Sequence, residues 1–242
     1  MSSWRRCAGA TEILLLLLLL AALPAGADEV RGTVQLLAKG GKGPARGSDV
    51  TQAVVYWEPA GWEPEGGAKA RAATAPAAPF VMTTRKKQFT PRLLTVPRGS
   101  RVRFPNQDPI LHNVFSVSPG NAFDLGLYRA GEGKTQRFEQ PGLVRVFCNV
   151  HHDMVAYVLV LDTPYYVSPE ADGSFVLSGV PPGKGRLTVW HEQAEPWTAD
   201  LQLPAGKPVA ARVEVVRPRV PPHLNKTGQS YFQSGRDRYN QP

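Results

Sequence analysis

The residues of this chain with the clearest chemical potential lie in one short run, Phe-Cys-Asn-Val-His-His-Asp-Met, at positions 147–154. In this run Cys148 offers a soft thiolate, His151 an imidazole and Met154 a thioether. A second imidazole, His112, lies upstream in Leu-His-Asn-Val. Two imidazoles, one thiolate and a weak thioether are the ligand set of a blue-copper electron-transfer centre. We therefore expect one type 1 copper ion held by these four side chains.

Other interpretations of the same residues are weaker. Zinc is the main competing metal, but one cysteine, two histidines and a methionine are a poor zinc set. Catalysis is a further alternative, since His151 or His152 could activate Cys148, although neighbours in one tight loop rarely reach the required geometry. The Cys-x2-His spacing favours His151 over His152 as the ligand. Asn113, beside the upstream histidine, is expected to brace the ligand loops through hydrogen bonds.

The first 27 residues are typical of an export signal. A positively charged start precedes an apolar core over residues 13–23 and small residues at Ala25-Gly26-Ala27, so we expect cleavage before Asp28. The apolar run of about eleven residues is shorter than the roughly 20 that a membrane span needs. Cys7 is then lost with the signal. Cys148 remains as a lone thiol in an oxidising compartment, where metal ligation would use it.

The positive net charge of the chain bears on the kind of partner that it could bind. The formal net charge is +8, from 28 Lys and Arg against 20 Asp and Glu. The basic residues are spread along the chain, are densest at Arg85-Lys86-Lys87, and form no nucleic-acid-binding signature, so no nucleic-acid partner is expected. A solvated basic surface is the simplest explanation, and steering towards an acidic redox partner is the functional alternative.

The elements that must position the ligands are predicted to be strands. Helix signals are nearly absent, and 23 glycines and 23 prolines separate short runs of Val, Leu, Phe, Tyr and Thr, which is typical of an all-β sandwich. Within a first domain at residues 28–162, Val30–Leu37 and Val50–Trp57 are predicted as the first strands. Val155–Leu161 is predicted as a buried strand that leaves the ligand loop. Ligands in loops at one end of such a sandwich converge on one point.

The pattern changes in the last third of the chain. Short strands and Gly/Pro turns predict a second, smaller β-sandwich at residues 163–216. Residues 217–242 contain few apolar side chains and are predicted to form a disordered tail. Trp190, His191 and Trp197 form either an aromatic patch for sugars or part of the packing against the first domain. No paired carboxylates or Ser-His-Asp arrangement stands out, so an enzyme is not expected.

Several motifs resemble a known family. Phe104 to Asn106, His112, Phe115 to Pro119, Cys148 to Met154 and Asp162 to Tyr165 match, in order, Phe-Pro-Asn, His, Phe-Ser-x-Ser-Pro, Cys-Asn-x-His-x-x-Met and Asp-x-Pro-Tyr. This pattern resembles the cupredoxin (plastocyanin/azurin) family, and most closely the bacterial periplasmic cupredoxins often labelled methylamine utilization proteins. The resemblance covers about residues 30 to 195. It implies a Greek-key, copper-binding β-sandwich and electron transfer outside the cytoplasm.

Residues 163–216 resemble a different module. Asp172-Gly173-Ser174-Phe175, Gly179-Val180-Pro181-Pro182-Gly183 and Leu187 to His191 are similar to the carboxypeptidase-regulatory or transthyretin-like sandwich. The leading hypothesis is an exported blue copper protein that carries electrons between periplasmic redox partners. One alternative is a cell-envelope scaffold that binds carbohydrate or protein through this module. Another is a copper storage or delivery protein without electron transfer.

Overall fold

The computed structural model describes residues 28–62 and 78–231, and regular structure within them is almost entirely β. The predicted all-β fold is confirmed. The predicted signal peptide at residues 1–27 lies outside the described part. Within the described ranges no helix has the length and hydropathy to cross a membrane.

The described residues form seventeen strands and two short 3-10 helices. The strands are β1 Asp28–Leu37, β2 Val54–Pro59, β3 Phe80–Val81, β4 Thr83–Arg85, β5 Gln88–Thr90, β6 Leu93–Pro97, β7 Arg101–Asn106, β8 His112–Ser116, β9 Phe123–Tyr128, β10 Gly131–Arg137, β11 Gly142–Phe147, β12 Val155–Leu161, β13 Tyr166–Val167, β14 Ser174–Val180, β15 Gly183–Trp190, β16 Trp197–Leu203 and β17 Val209–Glu214. The 3-10 helices are Lys39–Gly41 and Val50–Gln52.

One sandwich contains the predicted metal ligands. Its two sheets have the strand orders β10-β7-β4-β5, with β3 beside β7, and β6-β12-β11-β8-β9. The chain crosses between these sheets after β5, β6, β7, β9 and β10, as expected of a Greek-key sandwich. Alternating side chains of each strand point inward and fill a core that includes Met82, Phe104, Val114, Phe138, Val146 and Val158. Cys148 and Met154 belong to the same core.

The second sandwich is built from both ends of the described chain. Its sheets have the orders β14-β1-β17 and β13-β2-β15-β16. Strand β1 pairs antiparallel with β14 and parallel with β17, and β2 pairs with β13 and β15. The predicted division into residues 28–162 and 163–216 is therefore wrong for β1 and β2. These strands find their partners far away in sequence, and the local pattern of a strand does not identify its partner.

Strand β12 is buried on both faces and joins the two sandwiches. All seven of its residues are buried. One face enters the core of the ligand-bearing sandwich through Ala156, Val158 and Val160. The other face, which includes Tyr157 and Leu159, packs against side chains of β2 and β15. This double burial explains the continuous apolar sequence of the strand.

The aromatic residues considered for sugar binding pack against other side chains of the protein. Trp190 is 6% exposed and lies edge-on to Tyr157, with ring centroids 5.6 Å apart. His191 is 1% exposed, and Trp197 packs against the core of the second sandwich. Trp190 and His191 are therefore too buried to bind a sugar, and packing against the first domain is confirmed for Trp190.

The predicted tail at residues 217–242 is ordered as far as the structure describes it. The Arg92 guanidinium contacts the main-chain carbonyl of Arg219, and Tyr231 is only 4% exposed. Residues 232–242 lie outside the described part. The prediction was wrong for residues 217–231. Hydrogen bonds and ring stacking fix this segment, and such contacts cannot be predicted from the number of apolar residues.

Gly32 provides a test of the second sandwich. A Cβ atom at Gly32 would lie 2.3 Å from the carbonyl oxygen of Val209 and 2.7 Å from the Phe175 ring. We expect Gly32→Ala to lower the free energy of unfolding by about 1–3 kcal/mol, because β1 and β17 must separate. Gly206→Ala is the matched control, since a Cβ there has no neighbour within 4 Å. Equal denaturation midpoints for the two variants would contradict the pairing of β1 with β17.

Candidate metal centre

The β11–β12 hairpin positions three of the four predicted ligands. The two strands pair up to Phe147 and Val155, and the loop closes beyond that pair. The Cys148 N–H donates to the carbonyl of Met154 at 3.2 Å, and the Met154 N–H donates to the carbonyl of His151 at 3.1 Å. Side chains alternate along β11, so Phe147 faces the second sandwich while Cys148 faces the core of its own sandwich.

Three of the predicted ligands meet at one point. His112 Nδ1 lies 3.7 Å from Cys148 Sγ, and His151 Nδ1 lies 3.8 Å from the same sulfur. All three donor atoms lie within 4.8 Å of one another, and the residues are 0%, 0% and 6% exposed. His152 is not part of this cluster, since its ring stacks on His223 with centroids 4.6 Å apart. The geometry therefore agrees with the choice of His151 over its neighbour.

The spacing of the donor atoms suits a single metal ion. Thiolate and imidazole donors bind such ions at about 2.0–2.3 Å. A nitrogen and a sulfur donor at these lengths and roughly 120° apart lie about 3.7 Å from each other. The observed distances of 3.7 and 3.8 Å to Cys148 Sγ are close to this value. The two sulfur–nitrogen distances thus fit a metal ion bound by two imidazoles and one thiolate.

Asp108 orients the upstream histidine, and this role was not predicted from the sequence. Its Oδ2 lies 2.9 Å from His112 Nε2. The carboxylate fixes the proton on Nε2 and leaves the Nδ1 lone pair directed at the cluster. Burial lowers the pKa of His112 and outweighs the opposing effect of Asp108. The lowered pKa favours the neutral imidazole, which is the form that binds a metal.

The β4–β5 turn holds Asp108 in place. The N–H groups of Lys86 and Lys87 donate to its two carboxylate oxygens at 2.6 and 2.8 Å. Both lysines have positive φ, 52° and 56°, so that successive N–H groups converge on one anion. Burial alone would raise the pKa of Asp108, but hydrogen bonds from Lys87, Lys86 and His112 outweigh it and lower the pKa. The densest basic run of the sequence therefore serves the site through its backbone.

Main-chain N–H groups surround the sulfur of Cys148. Burial raises the pKa of the thiol, while the N–H groups of Asn113, Val150 and His151 act in the opposite direction. The Val150 N–H lies 3.4 Å from the sulfur. These donors stabilise the thiolate once metal binding has displaced the proton. The predicted bracing by Asn113 thus uses its backbone, while its side chain donates to Asp124 of β9 at 2.6 Å.

Met154 lies in the ligand loop and is fully buried, at 1% exposure, in the core that also contains Cys148. Met82 is also fully buried in this core but lies between β3 and β4. The place of Met154 in the chain is the one predicted for an axial ligand. Its bond to a metal stays a prediction.

Comparisons with known proteins give weak likenesses only. No family model matches the chain, and no curated protein matches it. A reduced copper(I) form of an amicyanin mutant is 22% identical, with a TM-score of 0.33, over 37% of this chain and 89% of that chain. A purple cupredoxin from Nitrosopumilus maritimus is 21% identical, with a TM-score of 0.31, over 34% of this chain and 99% of that chain. Likenesses at this level carry no function, and the assignment depends on the cluster itself.

Removing the charge of Asp108 tests its role. The Asp108→Asn substitution removes the negative charge. The NH2 group of the new amide also faces an N–H group that donated a hydrogen bond to the carboxylate. We expect the affinity for metal to fall about 10-fold or more, as measured by competition with a chelator. Asp153→Asn is the control, because this carboxylate is 89% exposed and bonds to His152 rather than to the cluster. A similar loss of affinity in both variants would show that only net charge matters.

Proposed function

We propose that this chain is an exported copper protein that carries electrons between periplasmic redox partners and is not itself an enzyme. The observation that carries the proposal is the cluster of His112, Cys148 and His151, with three buried donor atoms within 4.8 Å. Two imidazoles together with one thiolate favour copper over harder metals. Met154 is proposed as the weak axial ligand.

The surrounding protein suits a carrier of electrons. Copper, when bound, supplies a one-electron redox couple. His112 lies on β8, whose five residues are all buried, and Cys148 follows β11 in the hairpin with β12. Side chains held in a close-packed core move little when the charge of the site changes. Burial of all three donors also keeps water and other external ligands away from the site.

The alternatives have less support. A copper delivery protein must release its metal, and ligands that are at most 6% exposed disfavour easy exchange. A carbohydrate-binding role has little support, because Trp190 and His191, two of the three side chains considered for sugar contact, are buried. Export is proposed from the signal-like residues 1–27 and from the lone thiol. The net charge of +8 would favour an acidic redox partner through long-range attraction.

Adding copper(II) to the purified, metal-free protein tests the proposal. We expect one copper ion per chain, an intense visible thiolate-to-copper absorption band, and reversible bleaching by a reductant. Cys148→Ser should abolish the band, because the hydroxyl cannot replace the thiolate. Protein that takes up no stoichiometric copper would refute the proposal. Bound copper that cannot be reduced and reoxidised would instead favour storage or delivery.

The two buried methionines form a matched pair for testing the axial ligand. Met→Leu nearly conserves volume, so each variant should lose less than about 1.5 kcal/mol of stability. Met154→Leu should still bind copper but with a changed reduction potential, since the axial ligand tunes the potential. Met82→Leu should leave the potential unchanged. Voltammetry of the copper-loaded variants measures both, and equal potentials would remove Met154 from the ligand set.

A further inference from the structure

The C-terminal segment, residues 219–231, crosses the ligand loop although it follows the last strand of the second sandwich. Arg92 holds its start, with Nη1 donating to the carbonyl of Val155 at 2.9 Å and Nη2 to that of Arg219. Val220 packs against the cluster that joins the two sandwiches. Tyr231, at the other end, is 4% exposed. Both ends of the segment are thus fixed to the protein.

The segment contacts the ligand loop directly through two hydrogen bonds. The Tyr231 hydroxyl donates to the carbonyl of Cys148 at 2.9 Å. The Lys226 N–H donates to Asn149 Oδ1 at 3.0 Å. These bonds hold the backbone of one predicted ligand and the side chain of the next residue.

Ring stacking extends the same contact. The His223 ring stacks on Phe147 with centroids 4.3 Å apart and an interplanar angle of 15°. It also stacks on His152 with centroids 4.6 Å apart and an angle of 11°. Phe147 and His152 flank Cys148 and His151 in the sequence. The C-terminal segment therefore contacts the loop on both sides of these two ligands.

Lys226 also reaches β9, the strand that pairs with the strand of His112. Its Nζ lies 2.7 Å from Asp124 Oδ2, and Asp124 Oδ1 accepts a hydrogen bond from Asn113, the residue after His112. Partial burial would raise the pKa of Asp124, but the bonds from Lys226, Gly126 and Asn113 outweigh it and lower the pKa. An exposed ion pair of this kind is weak by itself. Here it links the two chain segments that must approach each other to form the site.

We propose that Tyr231 and Lys226 are positioning residues of the metal centre, which hold the ligand loop and the His112 strand in the binding geometry. The inference rests on the proposed function, because it takes His112, Cys148 and His151 as the ligands. Residues around metal ligands that hold them in place typically contribute 10- to 100-fold to affinity. The C-terminal segment is then part of the copper site, although it carries none of the four predicted ligands.

The first test needs no metal. Cys148 is 0% exposed, so a thiol reagent reaches it only when the loop opens. In full-length protein with Cys7→Ser, we expect Tyr231→Phe and Lys226→Met to raise the rate of Cys148 alkylation by iodoacetamide about two- to ten-fold, as loss of one hydrogen bond from the closed form implies. The matched controls are Tyr166→Phe, which removes a hydroxyl from the second sandwich, and Lys207→Met, which removes a charge from the β16–β17 turn.

The second test uses copper. We expect Tyr231→Phe and Lys226→Met to release copper to a chelator about 10-fold faster than the wild type, with a shifted visible absorption band. Lys226→Arg should restore the wild-type rate, because it keeps the ion pair with Asp124. The double variant Asp124→Asn with Lys226→Met should accelerate copper release by less than the product of the two single effects. Both substitutions break the same ion pair. The Tyr166 and Lys207 variants should match the wild type.

The outcomes separate the two proposals. Wild-type protein that binds no copper refutes the proposed function, and the alkylation rates then decide the inference alone. If the wild-type protein binds copper but the Tyr231 and Lys226 variants match their controls in both tests, the inference is overturned. The proposed function then stands. Tyr231→Phe keeps the aromatic ring and its packing, so it is expected to fold even where a more severe change would not.

Discussion

The geometry of the site depends on the double burial of the β11–β12 hairpin. The pair Phe147 and Val155 closes this hairpin and lies against the second sandwich, while Cys148 enters the core of the first. Moving one strand by a single residue would exchange these faces. Both environments are apolar, so polarity alone does not determine which of the two residues enters which core. The register is fixed by volume, because a phenylalanine and a cysteine cannot occupy each other's space in two close-packed cores. The second sandwich therefore takes part in placing the ligands.

The sequence was most informative where the decisive contacts are local. The spacing of Cys148 and His151 identified a strand-loop-strand junction, and β12 begins and ends at the predicted Val155 and Leu161. His112 was found because its residue type completed a ligand set. The placement of β1 and β2 could not be predicted in this way, since a parallel neighbour such as β17 lies near the other end of the described chain. The predicted strand Val50–Trp57 also begins later, at Val54, because Val50–Gln52 forms a 3-10 turn capped by Asp49.

The residues that support the ligands were harder to predict than the ligands. Asp108 lies four residues before His112, but its effect depends on two lysine N–H groups from the β4–β5 turn. The lysines themselves suggested a solvated charge, and their contribution is made by the main chain in a left-handed conformation that few side chains adopt. Tyr231 lies in a segment whose composition predicts disorder. Each supporting residue acts through a polar contact formed by tertiary folding, and such contacts have no periodicity to recognise.

Arg92 shows why the C-terminal segment can reach the site at all. Its guanidinium pairs with Glu192 while also donating to the carbonyls of Val155 and Arg219. The two side chains are 17% and 8% exposed, and burial raises the pKa of Glu192 despite the nearby Arg92. A partly buried ion pair of this kind contributes little net stability, because desolvation offsets much of the attraction. Its consequence is geometric. One side chain fixes the second sandwich, the start of β12 and the start of the C-terminal segment relative to one another, and this sets where the residues near Tyr231 meet the ligand loop.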